Sequence, residues 1–148
     1  MTTTTSAITG EYLKPIPTIS PETAPFWEAS RKHQLVVQRC KRCWHMQHYP
    51  RAICGACNHT EFDWVPSAGK GQVYSFVRVH VNRAPGWEKE VPYVFALIQL
   101  NEGIHMLSNV VGVRPEQVEI GMPVEVFFED ITSEISLPKF RFLRPETG

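Results

Sequence analysis

The four cysteines constrain this chain more than any other feature, because all of them lie within one short stretch. They form two pairs, Cys40-x-x-Cys43 and Cys54-x-x-Cys57, with ten residues between the pairs. Each pair can place two thiolates on one side of a tight turn, here called a knuckle. Two knuckles that face each other make a closed tetrahedral sulfur site. The spacing is typical of a structural zinc site, and iron is the less favoured metal for these ligands.

Two disulfides and four inert core thiols are the other readings of these cysteines. Cys-x-x-Cys loops are tight for structural disulfides. Residues 1–10 have neither the basic segment nor the apolar segment of a secretory signal. No apolar run in the sequence approaches the ~20 residues of a membrane helix. The sequence therefore predicts a cytoplasmic protein in a reducing setting, where thiolates hold metal more often than they oxidise.

The charge balance bears on the kind of partner. The 15 basic and 15 acidic residues cancel, and the isoelectric point is about 7.0. A general polyanion binder normally shows a basic excess. The 148 residues, 43% of them apolar, suffice for one ordinary domain or two small ones with a real core.

Local patterns divide the chain into five predicted parts. Ser20 precedes a proline and an acidic residue, as at the start of a helix. Pro25 must fall in the first turn, so the regular helix is expected over about 26–33, with Phe26 and Trp27 on its buried face. Strands enter and leave the knuckles. The predicted parts are an extended arm (1–19), a short helix (20–34), a zinc ribbon (35–66), a barrel (70–143) and a tail (144–148).

The last part has a hydrophobic period of two, which indicates strands. The pattern predicts one long strand face with Val73, Ser75, Val77, Val79 and Val81, and an opposite face with Tyr74, Phe76, Arg78 and His80. The segment 93–100 is nearly continuously apolar, which predicts a strand covered on both sides. Five short strands, with one helical turn between the third and the fourth, indicate a small OB-type barrel, with a sandwich as the main rival.

The order of these parts resembles a family of small proteins in which a rubredoxin-like zinc ribbon precedes an OB fold. This family has long been catalogued as a domain of unknown function and is associated with acyl-CoA enzymes. The resemblance covers about residues 14–143 and implies a mainly β chain with a short N-terminal helix. It rests on the cysteine pairs and on PETAPFW (21–27), GKGQVYSF (69–76), PYVFALIQL (92–100), GMPVEVFFED (121–130) and LPKFRF (137–142).

The resemblance implies a non-catalytic accessory subunit of an acyl-CoA-processing complex. It implies a hetero-oligomer with a thiolase-like enzyme as the first choice of partner, and a hydratase or an aldolase as alternatives. The chain would help to form the CoA-binding region, so that a CoA thioester is a ligand shared with the partner. The chain would then belong to an acyltransferase- or thiolase-type enzyme without being an enzyme on its own.

The first knuckle departs from the resembled family, in which a glycine often follows the second cysteine. Here Trp44 follows Cys43, and Asn58 follows Cys57. Knuckles favour a left-handed backbone at this position. Asparagine tolerates that conformation, whereas tryptophan adopts it at a cost of roughly 1–2 kcal/mol.

Five residues are the candidate contacts to CoA or to a partner. Trp87 lies in the middle of the polar loop 82–90, where it would anchor a partner or a pantetheine arm, or would fold back on the barrel. Local basic charge on the ribbon favours a phosphate or an acidic partner surface, although a solvated face explains it equally well. The candidates are Trp87, Arg83, Arg39, Arg42 and Arg51.

The sequence contains no recognisable catalytic set, because it lacks nucleophile-elbow, metalloprotease and dinucleotide motifs. If all four thiolates bind metal, no cysteine remains as a nucleophile. His33, His80 and His105 have no acid–base partner visible in the sequence. His45, His48 and His59 lie beside the cysteines, where four thiolates already complete the metal site. Two alternatives remain: a single-stranded nucleic-acid-binding module that stacks bases on Tyr74 and Phe76, and a stand-alone enzyme with an unrecognised site.

Overall fold

The computed structural model describes residues 12–143. The predicted arm lies outside the described residues up to position 11, and the predicted tail (144–148) lies wholly outside them. No helix in the described part is long and apolar enough to cross a membrane. The elements are α1 (Ala24–Arg31), β1 (Val36–Cys40), β2 (Met46–Gln47), β3 (Phe62–Pro66), β4 (Lys70–Val79), β5 (Tyr93–Leu100), β6 (His105–Val111), a 3-10 turn (Pro115–Gln117), β7 (Pro123–Asp130) and β8 (Ser136–Phe142).

The ribbon is a three-stranded antiparallel sheet in the order β2-β1-β3. Its central strand, β1, carries Gln38, which is only 2% exposed. The side-chain oxygen of Gln38 accepts hydrogen bonds from Gln47 Nε2 (2.7 Å) and from the backbone N–H of Arg51 (3.0 Å), and Gln38 Nε2 donates to Arg51 O (2.7 Å). One buried side chain therefore fixes the loop between the knuckles to the middle of the sheet, and its polar atoms are satisfied.

The second half of the chain is a closed barrel in the strand order β4-β5-β6-β8-β7, with β7 paired back to β4. All pairs are antiparallel except β6–β8. The predicted five-stranded OB-type barrel is confirmed, and the sandwich is excluded. The β6–β8 pairing comprises only Val110↔Phe140 and Val111↔Arg141. The first half of β6 therefore has no ladder partner on this side within the described residues, which leaves a gap in the barrel wall.

One hydrophobic core runs through the helix, the ribbon and the barrel. Phe26 of α1, Leu35 before β1 and Val37 of β1 are all at most 5% exposed, and they belong to the same buried cluster as the barrel interior. Phe140 and Ile98, both fully buried, lie in the barrel part of this cluster. Burial of apolar surface therefore stabilises each part, and it also stabilises the packing of the ribbon against the barrel.

The predicted faces of β4 are wrong beyond position 73, because a β-bulge interrupts the strand. The register with β5 passes directly from Val73↔Ile98 to Ser75↔Leu97, so that two residues of β4 oppose one residue of β5. A bulge shifts every later side chain to the other face. Phe76 consequently packs against the core, whereas Val77 points outward with 55% exposure and Val81 is 70% exposed. The sequence pattern could not show the bulge, since apolar residues continue on both sides of it.

The prediction that β5 is covered on both sides is also wrong. Val94, Ala96, Ile98 and Leu100 face the barrel interior and are at most 1% exposed, whereas the outward Phe95 is 42% exposed. The strand therefore has one buried face and one apolar face that is partly open.

The regular helix covers Ala24–Arg31, close to the predicted 26–33, and does not begin directly after Ser20. Ser20 forms a hydrogen-bonded turn with Thr23, whose N–H donates to Ser20 O at 3.0 Å, and Thr23 occupies the N-cap position without a side-chain cap. Pro25 explains the later start, because a proline lacks the N–H that a helix needs beyond its first turn. Phe26 lies on the buried face, as predicted, and Trp27 packs against the core more peripherally.

A hydrogen bond joins the end of the helix to the barrel. His33 follows the last turn with φ 62°, and its Nε2 lies 2.8 Å from Asp130 Oδ1 at the end of β7. The ring of His33 stacks on Phe128 with 5.4 Å between centroids. Ser136 Oγ donates to the same carboxylate oxygen, and this bond, followed by the His33 contact, lowers the pKa of Asp130. These residues fix the helix on the barrel across 97 positions of sequence.

Candidate metal centre

The two Cys-x-x-Cys knuckles place their four sulfur atoms in one cluster. All four Sγ atoms lie within 4.8 Å of one another, and Cys40–Cys57 and Cys43–Cys54 are each 3.6 Å apart. Disulfide sulfurs are bonded at about 2.05 Å, so these distances do not match disulfides. Four thiolates around zinc at about 2.3 Å lie about 3.8 Å apart in a tetrahedron. The arrangement therefore fits the zinc site that the spacing predicts.

Hydrogen bonds from backbone N–H groups of the knuckles favour the thiolate form of these cysteines. The N–H groups of Arg42 and Cys43 lie 3.3 and 3.5 Å from Cys40 Sγ. Desolvation opposes ionisation of Cys40, but the backbone bonds from Cys43 and Arg42 and the neighbouring thiols lower its pKa to about 6. At Cys43 a backbone bond at His45 favours the thiolate, yet desolvation and the other three sulfurs raise the pKa to about 12. Four sulfurs this close can all ionise only around a cation.

The cluster would hold its metal as a closed site. Cys40 and Cys54 are fully buried, whereas Cys43 is exposed at the rim. Four protein thiolates complete a tetrahedral coordination sphere, which leaves no position for water or substrate. The metal would therefore supply structural cross-linking between the two knuckles. Among the described residues, no other group of three or more His, Cys, Asp or Glu side chains converges in this way.

The two knuckles have the same backbone conformation despite their different residues. Trp44 and Asn58 have φ angles of 69° and 67°. Their N–H groups donate to Cys40 O and Cys54 O, each at 3.0 Å. Trp44 thus adopts the left-handed conformation that is costly for its type. Its ring is 65% exposed and lies 4.3 Å from the guanidinium of Arg39, a cation–π contact that the sequence did not predict.

The predicted CoA or partner contacts lie in two different places. Arg39, Arg42 and Arg51 are on the ribbon, whereas Arg83 and Trp87 are on the loop between β4 and β5. Arg39 already forms an ion pair, because its Nη2 lies 3.5 Å from Asp63 Oδ2. Within residues 12–143, Arg42, Arg51 and Arg83 have no carboxylate at ion-pair distance, and all three are exposed. The charge of these three guanidinium groups is therefore available for another molecule.

Trp87 is partly covered by the chain itself. Its ring centroid lies 5.1 Å from that of Tyr93 on β5, and Lys14 Nζ lies 4.5 Å above the Trp87 ring. Lys14 is only 8% exposed and forms an ion pair with Glu90 at 2.5 Å. Of the two readings of Trp87, this contact corresponds to folding back on the barrel. A contact between Trp87 and CoA or a partner stays a prediction.

The carboxylates of β7 form structural pairs. Glu125 bonds Arg141 at 3.1 Å, and Glu129 bonds Lys139 at 2.6 Å. His33 does have an acid partner, Asp130, which the sequence could not show because the two lie far apart in the chain. These carboxylates are thus balanced by cations or hydrogen bonds on the barrel surface, and they do not converge on one reaction centre.

A groove lies where the helix, the ribbon and the barrel meet, beside the gap between β6 and β8. It has a volume of about 290 Å³ and mostly apolar walls. Tyr49 fixes one wall, because its hydroxyl oxygen accepts the Leu107 N–H at 3.3 Å. Burial of His48 lowers its pKa to about 4, so that the ring is neutral at neutral pH. The walls include Phe26, Trp27, His48, Tyr49, Phe95 and Leu107.

The groove could not be predicted from the sequence. Phe95 was expected to lie in a strand covered on both sides. No local pattern connects residues 26, 49 and 107, since their proximity depends on how the ribbon docks on the barrel. The aromatic content of the three segments is the only sequence signal that points to the groove.

Known protein families match both parts of the chain. The profile described as "ChsH2, rubredoxin-like zinc ribbon domain" matches residues 27–63. The profile described as "ChsH2, C-terminal OB-fold domain" matches residues 64–129. The two matches are contiguous and in the order that the structure shows. They confirm the resemblance of the sequence to a ribbon-plus-OB family.

Several characterised proteins are similar to the chain. A probable enoyl-CoA hydratase alpha subunit of Thermomonospora curvata is 40% identical over 134 residues, which are 90% of this chain and 41% of the relative. The chain thus spans about two fifths of that subunit. A DUF35 domain-containing scaffold protein of Methanocaldococcus jannaschii is 41% identical over 70% of this chain and 73% of its own. The benzoylsuccinyl-CoA thiolase subunit BbsA of Geobacter metallireducens is 30% identical over about half of each chain.

One solved structure is similar over nearly all of its chain. It is described as an Ltp2-ChsH2(DUF35) aldolase. The matching chain is 39% identical, with a TM-score of 0.77, and the match covers 86% of the present chain and 98% of the other. The relatives thus include subunits of a hydratase, a thiolase and an aldolase.

Elemental analysis tests the metal site. We expect about one zinc per chain, because the four sulfurs fit one tetrahedral ion. Cys43→Ser is expected to lose most of the zinc and to lower the melting temperature, since closed sites contribute directly to folding. His45→Ala is the matched control and should keep its zinc. A metal-free preparation that is fully folded would contradict the structural role, and iron in place of zinc would overturn the choice of metal.

Equilibrium unfolding tests the strain at the first knuckle. Trp44→Gly should raise the free energy of unfolding by about 0.5–1 kcal/mol, because relief of the left-handed strain exceeds the exposed cation–π contact and the entropy cost of glycine. Asn58→Gly is the control at the equivalent position of the second knuckle, where little change is expected. A loss of stability on Trp44→Gly would show that the ring contacts outweigh the strain.

Proposed function

Because the chain belongs to the family that combines the ChsH2 rubredoxin-like zinc ribbon with the ChsH2 OB-fold domain, we propose that it is a non-catalytic accessory subunit of an acyl-CoA-processing complex. Its ribbon and barrel contribute surface to the complex, and the reaction takes place on a separate enzyme subunit. The ribbon metal, zinc in this proposal, is held by Cys40, Cys43, Cys54 and Cys57.

The similarity to the chain of the Ltp2-ChsH2(DUF35) aldolase carries this proposal. That match covers 98% of the other chain at 39% identity, so almost nothing in the other chain lacks a counterpart here. The relatives named as hydratase alpha subunit and thiolase subunit BbsA support the same kind of role. A thiolase-like enzyme is our first choice of partner, and a hydratase or an aldolase is the alternative.

The chemistry of the described residues is consistent with an accessory role. A closed four-thiolate site consumes every cysteine, so none remains to act as a nucleophile. The carboxylates of β7 are engaged by Arg141, Lys139 and His33. In this proposal the four cysteines maintain the shape of the ribbon, and the acids stabilise the barrel.

The CoA region of the complex would include the exposed arginines of this chain. Arg42, Arg51 and Arg83 are free of ion pairs within the described part, and guanidinium groups bind phosphates well. Arg39 and Trp87 are weaker candidates, because Asp63 and Lys14 already contact them. CoA is in this view a ligand shared between the chain and its partner.

The nucleic-acid alternative receives less support from the barrel. One of its two stacking aromatics, Phe76, packs against the core, and the other, Tyr74, stacks on His105 with 4.5 Å between ring centroids. Single-strand binding uses exposed aromatics in a basic groove. The overall charge of zero also removes the general attraction to a polyanion.

Co-purification from the native cell tests the proposal. Tagged chain is expected to recover a thiolase, hydratase or aldolase subunit in near-stoichiometric amount, identified by mass spectrometry. Tagged Cys40→Ser/Cys43→Ser chain is the control and should recover much less, because the ribbon loses its metal. Recovery of no acyl-CoA enzyme by the wild-type chain would contradict the proposal.

A further inference from the structure

The outward side chains of β4 after the bulge, and those beside them on β5 and β6, carry no Asp, Glu, Lys or Arg. One residue in five of the whole chain is charged, so this uncharged area stands out on the surface. The register places these side chains in adjacent rows, with Val77 opposite Phe95 and Leu97 opposite Leu107. The area, here called the outer face, consists of Ser75, Val77, Val79, Tyr93, Phe95, Leu97, Leu107 and Asn109.

The outer face is accessible as well as uncharged. Val77 is 55% exposed, and Phe95 and Leu107 are each 42% exposed. The β-bulge after Val73 creates the face, because it turns Val77 outward and Phe76 inward. Contiguous exposed apolar surface of this kind is typical of interaction sites.

The opposite side of the barrel shows what an ordinary solvated face of this protein contains. On β7 and β8 the outward side chains form ion pairs, Glu125 with Arg141 at 3.1 Å and Glu129 with Lys139 at 2.6 Å. The contrast lies within one barrel and on strands of similar length. The absence of charge is therefore a local property of the outer face, since Lys70 at the start of β4 is exposed.

The outer face continues into the groove between the helix, the ribbon and the barrel. Phe95, Leu107 and Asn109 belong to both, and Trp27 and Tyr49 extend the apolar surface on the other side of the groove. The groove volume of about 290 Å³ lies at the lower limit of the roughly 300–1,000 Å³ of small-molecule sites. This size suits one large apolar side chain of a docked protein, with the flat outer face beside it.

We infer that the outer face and the adjoining groove form the docking surface for the enzyme subunit, through an uncharged apolar patch on that subunit. The inference rests on the proposed function and names the surface that the proposal requires. Interface centres are depleted of charge and anchored by aromatic residues in pockets, as here. A nucleic acid or an anionic membrane would instead require Lys or Arg on the face.

Binding measurements with purified proteins test the inference. The enzyme subunit recovered by co-purification is produced separately and titrated with zinc-loaded chain. Val77→Glu and Phe95→Glu should each weaken binding at least 30-fold, because they place an unpaired charge in an apolar interface. Ile120→Glu is the matched control, since Ile120 is 70% exposed and lies outside the outer face. This substitution should change the affinity less than threefold. Zinc content and melting temperature establish that each variant is folded.

The outcomes separate this inference from the proposed function. If the wild-type chain binds no acyl-CoA enzyme subunit, both fail. If it binds, and Val77→Glu and Phe95→Glu bind equally well, the docking surface is wrong and the accessory role stands.

Light scattering of the chain alone tests whether the outer face instead joins two copies of the chain. A dimer that Val77→Glu converts to a monomer would show that it does, which overturns the inference. We expect a monomer for every variant.

Discussion

Electrostatic repulsion among four clustered sulfur atoms is the constraint on which the rest of the structure depends. The Sγ atoms lie within 4.8 Å of one another, and thiols at this separation can all become thiolates only around a cation. The cluster joins the two knuckles, together with the hydrogen bonds of Gln38 and Gln47. A metal ion bound there would set the shape of the ribbon, which presents β1 to the common core.

The junction between the ribbon and the barrel follows from this first constraint. Leu35 and Val37 enter the same buried cluster as the barrel interior, and the Tyr49 hydroxyl accepts a backbone hydrogen bond from β6 where the barrel wall is incomplete. The helix forms the third wall of the groove, and the hydrogen bond between His33 and Asp130 fixes the end of the helix to the barrel. The groove and the outer face thus exist only because all three parts are packed together, which explains why an accessory subunit would keep them in one chain.

The sequence predicted the local features of the fold and missed those that depend on distant contacts. The cysteine spacing specifies the ribbon, and the period of two specifies the five strands, because both signals are local. The bulge after Val73 was missed since a single inserted residue leaves the composition of the strand unchanged. The His33–Asp130 pair and the groove were missed because each joins residues that only the tertiary packing brings together. The late start of the helix, by contrast, was predicted from Pro25, because that signal is local.

The central claim is that the metal maintains shape while the reaction takes place on another subunit. Acyl-CoA turnover by the purified, zinc-loaded chain tests it most directly, measured alone and then with the separately purified enzyme subunit. The account predicts no turnover by the chain alone and turnover when both subunits are mixed, at a rate above that of the enzyme subunit by itself. Turnover by the chain alone, at a rate unaffected by adding the enzyme subunit, would contradict it.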